Sequence, residues 1–373
     1  MNPLRMGVIG CGAIAQIMHI PYLAEYEQFD LVALADVHQP TLDDVAGRYQ
    51  AQRRYTDPFE LIAQDDLDAV VICHSGSHRD TIIAALDAGK HVFVEKPMTW
   101  IAREAREVAE HVKSGQRILQ VGYHKLYDPA FAYVKEQLDK MQDLGVARIT
   151  VLHPANELGF SPHRIRRGDG VIQEGHVDVG DWEGQRNRQV SGMAGGEIGA
   201  LVDEALGESR KDDDRLRLAY GIITGSLIHQ VYALYGFLGE PKRVISTDIF
   251  REGFSIHTVI EYRDNLHVTM DWHFLSHLKD YHEEYAFLGN FDRVYLRFPS
   301  PYFRNFPSPV TVQGCEGELM WEKRIIVNYE EAFQRELIAF YENVQSNTQP
   351  ELSSIKDGVK HQEFIQQIID AAV

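Results

Sequence analysis

The stretch His91-Val92-Phe93-Val94-Glu95-Lys96-Pro97 decides how the first third of this chain is read. His91 to Val94 is mostly apolar, as expected for a strand that a sheet buries on both faces. The segment before it, Thr81 to Ala88, is amphipathic and closes at Gly89, a residue that often ends a helix. Helix then buried strand is an α/β unit, and the strand stops at Glu95-Lys96-Pro97. Ligands of open α/β sheets bind outside the carboxyl ends of the strands. Lys96, set between a carboxylate and a proline, is therefore a candidate to touch a bound molecule. The plainer alternative is a surface lysine paired with Glu95.

Upstream, Leu4 to Ile9 reads as a first strand and Ile14 to about Ala24 as a helix. Between them lies Gly10-Cys11-Gly12-Ala13-Ile14-Ala15, a G-x-G-x-x-A loop in the context that a dinucleotide fingerprint requires. Gly10 allows the tight turn, Gly12 lets the backbone approach a pyrophosphate, and Ala15 lets helix and strand pack closely. The helix N-terminus adds amide donors and partial positive charge for the anion. A structural turn explains most isolated G-x-G matches, so the next strand matters. Phe29 to Ala35 is apolar and ends at Asp36, which can accept from the adenosine ribose hydroxyls and would repel a 2′-phosphate. Val37-His38-Gln39-Pro40 supplies no arginine, which favours NAD over NADP. A turn or helix cap is the alternative for Asp36.

Asp68 to Cys73 is a further buried strand, ending in His74-Ser75-Gly76-Ser77-His78. His74 and His78 could contact the nicotinamide ribose or a substrate, or could be ordinary turn and helix-start histidines. Ala102 to Lys113 reads as a helix and Arg117 to Val121 as a last strand. This rhythm of strand and helix predicts a doubly wound parallel sheet.

Three features together resemble the glucose–fructose oxidoreductase and inositol dehydrogenase family, often written Gfo/Idh/MocA. They are the G-x-G-x-x-A loop, the run from Ala88 to Pro97, and the segment Gly122-Tyr123-His124-Lys125-Leu126-Tyr127-Asp128-Pro129. The resemblance implies an N-terminal Rossmann domain, residues 1–125. It also implies a C-terminal α+β domain, 126–373, with an open and largely antiparallel sheet. It places Lys96 at the nicotinamide and the substrate oxygen. Gly236-Phe237-Leu238-Gly239-Glu240-Pro241 resembles the end of the family's helix that carries a catalytic histidine, which implies His229; as a lone histidine on an apolar face it would otherwise be a core residue. There are departures. Many members have an aspartate four residues before that histidine, where this chain has Gly225. His74-Ser75 stands where Thr-Pro is usual, and Leu126 where arginine is common.

Later strands are expected at Lys242–Phe250, Ser255–Tyr262, Leu266–Trp272, Tyr285–Leu288 and Arg293–Phe298, with a break at 263–265. Segment 154–220 reads as an insertion, with a helix from Glu197 to Leu206 and a solvated charged run from Glu208 to Arg217. His153, His163, His176 and Asp178 match no metal-ligand spacing, so no metal is assigned.

With 373 residues, two domains are expected. The net charge of −18 argues against nucleic acid or an anionic membrane as partner. Cys11, Cys73 and Cys315 are an odd, scattered set, as in a reducing compartment. No signal-peptide core or membrane-length apolar run is evident, and a cytoplasmic protein is expected. Hydride transfer from an alcohol needs a base and an oxygen donor; His229 and Lys96 suit those roles. His124, Tyr127, His153, Trp272 and His273 suit a small polyhydroxylated ligand, so the expectation is an NAD-dependent sugar or cyclitol dehydrogenase. Two alternatives are an enzyme that retains NAD for transient oxidation and a non-catalytic nucleotide-binding regulator. The family resemblance further implies a homodimer or homotetramer.

Overall fold

The fold begins with apolar strands that find partners on both sides. In the computed structural model, which describes residues 2–112, 117–168, 170–172, 182–263 and 266–373, six strands form the first sheet: β1 (Leu4–Ile9), β2 (Phe29–Ala35), β3 (Arg53–Tyr55), β4 (Ala69–Ile72), β5 (His91–Glu95) and β6 (Leu119–Gly122). Their order is β3-β2-β1-β4-β5-β6, and every pairing is parallel. The order reverses at β1 and β4, which is where a doubly wound sheet holds its ligand. β4, β5 and β6 are buried along their whole length. Helices must therefore cover both faces, as the unbroken apolar runs predicted.

The helix after β1 opens on a π-helical turn, Ala15–His19, and continues as Ile20–Glu25. β3 is a three-residue edge strand. The chain falls into two compact units, and the first also takes up 159–177 and 333–362. Gln16 fastens the returning segment: its Nε2 donates to the Arg166 carbonyl at 2.8 Å, and its Oε1 accepts from Arg166 N at 2.9 Å. β8 (Ile165–Arg167) and β9 (Gly170–Ile172) form a small antiparallel ribbon in that segment.

The second unit is built on an eight-stranded sheet. Its strands are β7 (Val146–His153), β10 (Arg243–Phe250), β11 (Ser255–Glu261), β12 (His267–Phe274), β13 (His282–Leu288), β14 (Arg293–Phe298), β15 (Val310–Glu316) and β16 (Leu319–Ile325), in the order β10-β11-β12-β7-β13-β14-β15-β16. The β12–β7 pair is parallel and the rest antiparallel. β15 and β16 were not anticipated. β16 is exposed or half-exposed throughout, so it carries no alternation of apolar and polar residues to read.

The charged run 208–217 is not wholly solvated. Arg217 is buried; it pairs with Asp203 and donates to the carbonyls of Met193 (2.6 Å) and Lys211 (2.7 Å). One helical run, Asp214–Leu238, does reach membrane-spanning length and apolarity, contrary to the sequence expectation, but more than half of its apolar window is buried within the protein.

Candidate active site

The loop after β1 forms a cradle. Gly10 has φ +94°, and a Cβ there would lie 2.4 Å from the His74 backbone nitrogen, so only glycine fits. At Gly12 a Cβ would meet nothing within 4 Å. That open space beside a helix start is what a pyrophosphate requires. Cys11 N donates to Asp36 Oδ2 at 2.7 Å, and His38 N donates to Asp36 Oδ1 at 2.8 Å. The carboxylate is thereby fixed at the end of β2, with lone pairs left for hydroxyl donors. The arginines of the neighbouring β3 are engaged elsewhere: Arg53 with Asp66 and Arg54 with Asp43, both at 2.8 Å. Burial pushes the Cys11 thiol up to about 12, so its contribution is its backbone N–H.

These residues line a cavity of about 470 Å³ that takes in Gly10, Gly12, Ala13, Ile14, Asp36 and His74. The volume lies within the range of cofactor sites, and the residues present fit a dinucleotide. Ala15 is buried and does not line the cavity. His74 Nε2 meets Thr81 Oγ1 at 2.9 Å on the cavity wall. His78 stands behind it, buried, with Nε2 donating to the His74 carbonyl at 2.7 Å. Burial lowers the His78 pKa to about 4, so it is neutral and supports His74.

Glu95 and Lys96 stand at the carboxyl end of β5. Glu95 is buried, and its Oε1 lies 2.6 Å from His19 Nε2. Burial alone would raise its carboxyl, but the His19 hydrogen bond and the Lys96 charge hold it below the usual range. Its Oε2 accepts from Lys96 N at 3.0 Å, which fixes the backbone from which the half-buried Lys96 side chain departs. His19, Glu95 and Glu336 are all buried with ligand atoms within 4.8 Å. His19 Nε2 and Glu95 Oε1 are already joined by a hydrogen bond, which reads as a scaffold for the end of β5.

The second unit gathers the other candidates. The His124 and His229 rings meet edge-to-face, with centroids 5.1 Å apart. His229 Nδ1 lies 2.8 Å from the Tyr232 hydroxyl. His153 packs against Trp272 (5.6 Å) and Tyr281 (5.5 Å). Tyr127 sits in the short helix His124–Tyr127, half-buried. Sequence reasoning missed the group that ties these together. Glu283 is fully buried on β13 and accepts from Lys125, Tyr281, Gln230 (2.8 Å) and Tyr285 (3.0 Å). Burial would raise its carboxyl, but Lys125 and these hydrogen bonds hold it below the ordinary range. Lys125 and Gln230 adjoin His124 and His229 in sequence, so Glu283 anchors both histidine-bearing segments. A signal was present: on β13, Glu283 shares the face of Tyr285 and Phe287, both buried. His163 lies in the first unit and His153 in the second, while His176 and Asp178 fall outside the described residues.

Known proteins share this fold. Residues 4–123 match the Gfo/Idh/MocA model, described as an oxidoreductase family with an NAD-binding Rossmann fold. A myo-inositol 2-dehydrogenase of Thermotoga maritima is 30% identical over 66% of this chain and 76% of its own length. An inositol 2-dehydrogenase/D-chiro-inositol 3-dehydrogenase of Shouchella clausii is 37% identical, over 37% of this chain and 40% of its own length. Among solved structures, a 3-ketoreductase from Actinomadura kijaniata, in complex with NADP and TDP-benzene, superposes with TM-score 0.73. It is 18% identical, and the match covers 100% of this chain and 98% of that one. A scyllo-inositol dehydrogenase from Lactobacillus casei gives TM-score 0.67 at 19% identity, covering 100% and 96%. At these identities the structures show the shared fold.

Proposed function

This chain belongs to the Gfo/Idh/MocA family of NAD-binding Rossmann oxidoreductases, and on that premise we propose that it is an NAD-dependent dehydrogenase of a sugar, sugar derivative or cyclitol. The observation that carries the reading is the open cradle at Gly12 with Asp36 fixed beside it, in a chain whose relatives include inositol dehydrogenases. When bound, the nicotinamide supplies the acceptor for a hydride from the carbinol carbon. The loop Gly10–Ala15 and its helix N-terminus hold the pyrophosphate. Asp36 accepts the ribose hydroxyls, which favours NAD over NADP. His74 faces the cavity as a further contact. Lys96, on a backbone pinned by Glu95, donates to the substrate oxygen as negative charge develops. His229 removes the hydroxyl proton. For Nε2 to take that proton, Nδ1–H donates to the Tyr232 hydroxyl oxygen, 2.8 Å away. His124, Tyr127 and His153 bind the remaining hydroxyls. We further propose a cytoplasmic homodimer or homotetramer. The exposed edge strand β16, with Leu319 and Met320 exposed, supports an interface there, and light scattering showing a monomer would contradict it.

Single substitutions test the residue roles. Lys96→Ala and His229→Ala should each lower kcat by about two to four orders of magnitude while NAD affinity stays nearly intact. Groups acting as one unit are not additive, so the double variant should be little worse than the poorer single one. Near-normal turnover of His229→Ala at every pH would make His229 a core residue.

A further inference from the structure

Gln16 follows the fingerprint loop directly, is buried, and uses the whole hydrogen-bonding capacity of its side-chain amide. Its Nε2 donates to the Cys11 carbonyl at 2.7 Å and to the Arg166 carbonyl at 2.8 Å. Its Oε1 accepts from Arg166 N at 2.9 Å and from Arg48 Nη2 at 2.6 Å. One amide thus joins the cradle, the helix Gln39–Tyr49 and the β8–β9 ribbon. Two further bonds tie that helix to the start of the ribbon. Arg48 Nη1 donates to the Arg164 carbonyl at 3.0 Å, and Arg164 Nη2 donates to Asp44 Oδ1 at 3.0 Å.

The bond to Cys11 reaches the anion site through a single peptide plane. The Cys11 carbonyl and the Gly12 N–H belong to the same trans peptide, in which the two groups point in opposite directions. With the carbonyl turned to Gln16, the Gly12 N–H is turned away from it, at the position where the cradle is open. Gln16 also holds Gly12 from the other side, since its own backbone N donates to the Gly12 carbonyl at 3.0 Å. Among the described residues, no lysine or arginine lines the cavity. A pyrophosphate there depends on backbone N–H groups, so the direction of each one matters.

We propose that Gln16 is a positioning residue for the nucleotide, and that through it the β8–β9 ribbon is coupled to nucleotide binding. The fastened ribbon keeps the Gly12 amide in its binding direction, and a bound pyrophosphate in turn keeps the ribbon fastened, because coupling between two sites is reciprocal. The coupling rests on the dinucleotide reading of the cradle and not on hydride transfer.

The test joins calorimetric titration with NAD to limited trypsin digestion of the whole protein, followed by mass spectrometry. Arg164, Arg166 and Arg167 give trypsin three sites in and beside the ribbon, and a chain must leave its bonds to be cut. In the unaltered protein, saturating NAD should slow cleavage at these sites by at least about fivefold, while cleavage at the exposed Lys323 and Arg324 of β16 stays the same. Gln16→Leu should weaken NAD binding by at least about fivefold and speed cleavage of the ribbon. Arg48→Lys keeps the charge but cannot bridge both of its partners; it should weaken NAD binding by at least about twofold, and the double variant should be little worse than Gln16→Leu. If Gln16→Leu fails to fold, Arg48→Lys and the unaltered protein decide. NAD bound with ribbon cleavage unchanged, or both variants binding NAD as before, would overturn the coupling alone. Binding of neither NAD nor NADP would overturn it together with the cofactor reading. Protection by NADP and not by NAD would support the coupling and count against the NAD preference.

Discussion

Removing one member of the Lys125–Glu283 pair should be among the most costly single changes in the second unit. Lys125 is 2% exposed and Glu283 fully buried. Lys125 Nζ reaches both carboxylate oxygens, one at 2.5 Å. Breaking such a buried pair typically costs about 3–5 kcal/mol, because the remaining charge stays buried and uncompensated. Glu283→Gln strands the ammonium. Lys125→Met leaves the carboxylate with neutral donors from Gln230, Tyr281 and Tyr285. Each single variant should therefore lose about 3–5 kcal/mol, and Lys125→Met combined with Glu283→Gln should lose no more than either alone. Urea unfolding followed by tryptophan fluorescence is the assay, since Trp182, Trp272 and Trp321 all lie in the second unit. Additive costs, or singles that lose less than about 1 kcal/mol, would refute the account of Glu283 as a charged anchor. Because Glu283 also holds the segments of His124 and His229, a folded Glu283→Gln protein should lose kcat with NAD affinity kept.

Gly12→Val should fold, since a Cβ there meets no protein atom, yet lose NAD binding in a fluorescence titration; unchanged affinity would remove the cradle. Gly10→Ala should instead destabilise the first unit, because its Cβ would strike the His74 backbone. Asp36→Ser should raise kcat/KM with NADP relative to NAD, and equal use of both cofactors by the unaltered protein would sink the preference. His78 is buried neutral with its pKa lowered to about 4. The unfolded chain therefore binds the extra proton first, and stability present above about pH 6.5 is lost as pH falls toward 4. That loss is about 3 kcal/mol; His78→Gln should flatten this part of the urea-midpoint profile, and an unchanged slope would show that His78 does not drive it.

The first unit was nearly all legible because buried parallel strands announce themselves. The runs 31–35 and 92–94 are continuously apolar, the latter set between Gly89 and Pro97, and Gly10 and Gly12 can be read from backbone sterics alone. The second unit was legible only where strands alternate, as in Arg293–Phe298. β16 has no buried face to reveal it. The Glu283 network was hidden for another reason: its members, Lys125, Gln230, Tyr281 and Tyr285, come from three distant stretches, and only the packing of two helices against β13 brings them together. Arg217 was misread because a charged run looks solvated whether or not one of its members turns inward to backbone carbonyls. The returning segment that Gln16 fastens has no local signature, since both partners of those bonds are backbone groups or a single amide.

The central claim is net hydride transfer from a hydroxylated ring to NAD. Its most direct test is to incubate the protein with excess NAD and each member of a panel of sugars and cyclitols, and to measure free NADH by absorbance alongside the oxidised product by mass spectrometry. The account predicts one NADH released for each substrate oxidised with at least one ring, and none from Lys96→Ala on the same timescale. Substrate conversion with no accumulating NADH, or a retained nucleotide that never exchanges, would contradict it.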